Sequence, residues 1–142
     1  MPDHHPVAAA PETAALLRGE VGMLRRRESR RVFDMQLFVG TLGDAPRDSF
    51  VVRTQELPRF DHGLRVDVAD TLLDAAAPTW TTAWLVRPGV PALHDEDLEW
   101  LAAVEAAFTG RDRVLGAFYA VTRYGWLDVR GGASRHWRRL RL

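Results

Sequence analysis

The chain contains no lysine, isoleucine, asparagine or cysteine. Without lysine there is no Schiff-base amine and no P-loop ammonium to hold nucleotide phosphates. Without cysteine there is no thiol nucleophile, disulfide, iron–sulfur cluster or zinc ribbon. Lysine, isoleucine and asparagine share AT-rich codons, so their joint absence reads as the mark of a GC-rich, bacterial genome rather than as a functional choice. Also missing is any apolar run near the ~18 residues of a membrane span, and the opening MPDHHPVAAAPETAALL has no basic n-region. A cytoplasmic protein is expected.

What is present fits one domain. The 142 residues are 46% hydrophobic, enough for a real core over residues 12–142. Residues 1–11, with Pro2, Pro6 and Pro11 and an alanine run, read as a disordered leader in which His4 and His5 are solvated. All 19 basic residues are arginine and 19 acidic residues balance them, which argues against a general polyanion binder. The charges are nonetheless clustered, basic over Arg25–Arg31 and Arg135–Arg141 and acidic over His94–Glu99.

Hydrophobic periodicity orders the elements. Leu17, Val21 and Leu24 predict a helix from Glu12 to about Arg26, weakened by Gly19 and Gly22. Phe33, Met35, Leu37 and Val39 alternate with Asp34 and Gln36 as a half-buried strand ending at Gly40, and Ser49–Thr54 reads as its antiparallel partner. In LRVDVADTLLDAAA strand and helix periods overlap, and a helix is expected over Asp67–Ala76. Trp80–Val86 reads as a buried central strand stopped by Pro88-Gly89. His94 or Asp95 caps a further helix, with Leu98, Leu101, Val104 and Phe108 as its buried stripe up to Gly110. Val114–Arg123, Gly125–Val129 and Arg135–Leu142 read as strands, the last two a hairpin across Gly131-Gly132. The fold class is α+β, a mixed central sheet of five to six strands flanked by two to three helices. Trp84, Trp100 and Trp126 are expected in the core and His136 at the surface.

The stretch WLVRPGVPALHDEDL, Trp84–Leu98, in this order of elements, resembles the JAB/MPN (JAMM) metalloprotease-like domain. That family carries His-x-His-Pro, a loop, then Ser-x-x-Asp-Leu opening a helix. The resemblance implies a zinc site in active members, with an upstream glutamate as general base. Aligned on Pro88, the two histidine positions hold Leu85 and Arg87. With one loop residue deleted, His94 falls on the serine and Asp97 on the zinc aspartate. Phe33 and Asp34 stand where the glutamate belongs. The resemblance therefore implies a pseudo-enzyme with no metal and no cofactor, in which Arg87 pairs with Asp97. Its degenerate site would comprise Phe33, Asp34, Leu85, Arg87, His94 and Asp97.

Three functions follow. The first is a non-catalytic JAB-like domain acting through a protein partner or self-association. The second is nucleic-acid binding, through Arg25–Arg31 and through Arg135, Trp137, Arg138, Arg139 and Arg141 of the tail. The third is a metal-dependent hydrolase with a relocated site built from His62, His94, Asp95 and Asp97.

Overall fold

Proline at the first helical position, the stripe Leu17, Val21 and Leu24, and three arginines in the last turn produce α1, Pro11–Arg27. The computed structural model describes residues 9–43 and 46–138. The expected leader is therefore seen only from Ala9, which packs against the core, and Pro11 already belongs to the helix.

Six strands follow in one sheet: β1 (Met35–Gly40), β2 (Arg47–Val52), β3 (Thr82–Val86), β4 (Ala117–Thr122), β5 (Gly125–Asp128) and β6 (Ser134–His136). Their order is β2-β1-β3-β4-β5-β6. β3 and β4 run parallel, and all other neighbours are antiparallel. The parallel pair is joined across α3 (Asp95–Thr109), as a parallel connection requires a crossover. α2, His62–Ala75, precedes β3. The mixed sheet and its flanking helices make an α+β domain.

The two faces of the sheet are covered unequally. Met35, Leu37 and Val39 of β1, with Ala83 and Leu85 of β3, pack under α2 and α3 together with Val68, Leu72, Trp100 and Phe108. On the opposite face Phe38, Trp84, Val86, Val121 and Trp126 pack under α1 alone. That single helix lies mainly over β4 and β5. The β1–β2 side of this face is thus left without a helix above it.

Several expectations need correction. β1 is central, so both its faces are buried and Phe38 is as enclosed as its alternating neighbours. Phe33 precedes the strand and packs with the α1-side cluster, opposite Met35. β2 ends at Val52, and Thr54–Arg59 forms a 3-10 helix that the strand propensity of SFVVRT had hidden. α2 begins at His62 rather than Asp67, because the Asp61 carboxylate caps it by accepting from Leu64 N–H at 2.8 Å. In α3 the buried stripe is Trp100, Ala103, Val104, Ala107 and Phe108, while Leu98 is exposed, a phase shift of the predicted stripe. Trp84, Trp100 and Trp126 are all core, and His136 is exposed. β6 covers Ser134–His136, and the end of the strand expected to Leu142 lies outside the described residues. The preceding turn is built by Asp128, whose carboxylate accepts from the N–H groups of Arg130 and Gly131.

Candidate functional site

Arg87 is the residue immediately after β3, and its N–H still donates to Val121 O at 3.1 Å, so its side chain leaves the sheet on the same face as Leu85. There it meets the first turn of α3. The guanidinium Nε donates to Asp97 Oδ1 at 2.7 Å and Nη2 to Asp97 Oδ2 at 2.8 Å, a bidentate pair with side chains 1% and 0% exposed. The other N–H groups fix the connecting loop. Nη1 donates to the carbonyls of Pro88 and Val90, and Nη2 donates to that of Ala92. All five donors of the guanidinium are satisfied. Asp97 Oδ2 also accepts from His94 N–H at 2.9 Å, while Asp97 N–H donates to His94 O at 3.0 Å, so the same carboxylate tethers the start of the helix. Gly89 sits at φ +93, and a Cβ there would lie 3.1 Å from His94 Cε1. The loop wraps a cation that the chain itself supplies.

The expected site residues gather only in part. Arg87, His94 and Asp97 form one hydrogen-bonded unit. Phe33, Arg87 and His94 line a recess of about 170 Å³ together with Met35, Thr54 and Leu57. Asp34 is turned to a different task, accepting from Thr54 N–H at 2.9 Å and from its hydroxyl at 3.0 Å. Those two hydrogen bonds, backbone first, hold its carboxyl below the usual range. Leu85 is fully buried in the core beneath α2 and α3 and does not reach the recess.

A zinc ion does not fit here. Of the positions that the JAB resemblance assigns, one holds an aliphatic side chain and one a permanent cation, and both oxygens of the remaining carboxylate are taken by that cation. The relocated alternative fares no better. His62 opens α2 and is absent from the lining of the recess that His94 borders. Among the described residues no group of three or more His, Asp or Glu side chains is placed to hold a metal.

The tail expected to stack on nucleic acid is partly engaged already. The Trp137 ring carries the guanidinium of Arg135 at 5.5 Å and that of Arg18 at 5.8 Å, and it packs against the α1-side core. Arg138 is exposed, and Arg139 and Arg141 lie outside the described residues. In the first basic segment Arg25 donates to Arg123 O and Arg30 pairs with Glu28.

A second arginine–carboxylate unit escaped the sequence. Glu20, 5% exposed on α1, accepts from Arg47 Nη1 and Nη2 at 2.7 Å each and from Gly43 N–H at 2.6 Å. Arg47 lies over Trp84, 4.9 Å from its ring centroid, and Trp84 stacks on Phe38 at 5.2 Å. This unit forms one end of a cavity of about 500 Å³. Met23, Leu24, Arg26 and Arg27 form the α1 wall, with Phe38 and Val86 from the sheet. The available signal was Glu20 itself, three residues after Leu17 and four before Leu24, hence on the buried stripe.

Comparison of the chain with known protein families, with curated proteins and with solved structures gave no match.

Proposed function

We propose that this chain is a non-catalytic domain of JAB/MPN-like design that acts through protein contact, with the loop between β3 and α3 as its contact element. The supporting observation is the Arg87 guanidinium, which has every donor occupied, at a position that the resemblance aligns with a metal-binding histidine. Its three loop carbonyls fix the backbone of residues 88–92, and a backbone ordered in advance lowers the entropic cost of association. Val90 in that segment, Leu93 just after it and Leu98 on α3, 45%, 54% and 46% exposed, give this region apolar side chains on its outer surface.

Zinc titration followed by elemental analysis tests the catalytic half. No stoichiometric zinc is expected to be retained. One tightly bound equivalent, released on Asp97→Asn, would end the pseudo-enzyme assignment. Sedimentation velocity over a range of concentrations tests the contact half, with Leu93→Asp/Leu98→Asp expected to abolish any self-association. A self-associated protein unaffected by that double variant would move the contact elsewhere.

A further inference from the structure

The cavity between α1 and the β1–β2 side of the sheet has no part in that reading, and its lining is specific. Among the described residues, three arginines, Arg26, Arg27 and Arg47, and one carboxylate, Glu20, line it. The carboxylate is matched by Arg47 through two hydrogen bonds. Neither Arg26 nor Arg27 has a carboxylate partner among the described residues, and both are exposed. Arg27 rests 6.0 Å from the Phe38 ring centroid. The C-terminal end of α1 contributes a negative potential equivalent to roughly half a charge, which two unpaired guanidiniums outweigh. Between these charges the wall is apolar: Met23, Leu24, Phe38 and Val86. Such a cavity matches a dianion joined to an apolar body, because planar guanidinium forks suit phosphate oxygens and the apolar wall has nothing to offer a free inorganic ion.

We propose that this cavity binds a small phosphate monoester carrying an apolar or aromatic group, with Arg26 and Arg27 on the phosphate and Met23, Phe38 and Val86 against the organic portion. The proposal is one of binding, with no bond made or broken: among the described residues Glu20, already ion-paired, is the one carboxylate that lines the cavity. The phosphate could equally belong to the end of a nucleic acid strand, and the test separates the two sources.

The experiment is a heteronuclear NMR titration of the full chain with phenyl phosphate, inorganic phosphate and a single-stranded oligonucleotide, following the Gly43 and Phe38 amides. Phenyl phosphate should shift both saturably and bind at least about tenfold more tightly than inorganic phosphate, a difference of about 1.4 kcal/mol. Arg26→Gln/Arg27→Gln should weaken phenyl phosphate by about tenfold or more. These two side chains take part in no side-chain hydrogen bond among the described residues, so the variant keeps the fold, as circular dichroism would verify. Met23→Gln should weaken phenyl phosphate several-fold and leave inorganic phosphate unchanged. The proposal is overturned by the absence of a saturable shift with phenyl phosphate, by unaltered binding in the double arginine variant, or by equal affinity for the inorganic ion. Oligonucleotide binding at least about tenfold tighter than phenyl phosphate, lost in the same variant, would overturn it in favour of a nucleic-acid surface.

Discussion

Arg87–Asp97 and Arg47–Glu20 are the same chemical pair built on opposite faces of one sheet, and they do opposite things. The first is closed in by the loop after β3 and the first turn of α3, with side chains 1% and 0% exposed and every guanidinium donor assigned. The second stands under the single helix of the other face, with the arginine 19% exposed at the rim of a cavity. The difference lies in coverage. A loop whose carbonyls fill the remaining donors encloses the first pair and makes it part of the scaffold, whereas the second stands beside a cavity under one helix. A charged pair in this fold therefore marks either a closed site or an open one, according to the layer above it.

The comparison breaks most visibly on Asp97→Ala. That change strands a buried guanidinium, frees the start of α3 and should cost about 3–5 kcal/mol, read by chemical denaturation. Glu20→Gln keeps the shape of the other pair but removes its charge. Because Arg47 retains access to water, the loss should be about 1–2 kcal/mol by the same measurement. An equal effect for the two variants would show that coverage does not set the strength of these pairs.

The smallest effect belongs to a third pair, whose arginine is 72% exposed. The side-chain and backbone hydrogen bonds from Arg30 lower the Glu28 carboxyl from 4.5 to about 2. A folded pKa below the unfolded one gives stability that is present above the ordinary carboxylate range and lost as pH falls towards about 2. NMR titration of the Glu28 carboxyl should reproduce the low value at low salt and drift upward in concentrated salt.

The closed pair was legible in the sequence and the open one was not. Arg87 stands two residues after Leu85 at the end of a strand, and Asp97 opens an acid-capped helix ten residues later. The pair was expected because the JAB/MPN resemblance aligns the two residues with positions of one site. Glu20 and Arg47 are separated by β1 and its connection to β2, and their meeting depends on the register that pairs Gly40 with Arg47. No local pattern encodes that register. The α+β architecture, expected with five to six strands and found with six, was readable because the strands carry turn signals at their ends. Element ends shifted where a cap or a 3-10 turn overrode periodicity, as Asp61 did for α2 and Thr54–Arg59 did for β2. The cavity on the α1 face could not be foreseen, since it follows from how one helix is placed on a six-stranded sheet, mainly over β4 and β5.

The loop after β3 is shaped by a positive charge bonded covalently to the chain. A site organised around a dissociable ion is filled or emptied by ion supply, chelators and competing metals, and it loosens when its ligands are protonated. A guanidinium responds to none of these, because it is always present at one equivalent and keeps its charge throughout the physiological pH range. The order of the segment from Pro88 to Ala92 is thus supplied by the chain itself, in metal-rich and metal-starved surroundings alike.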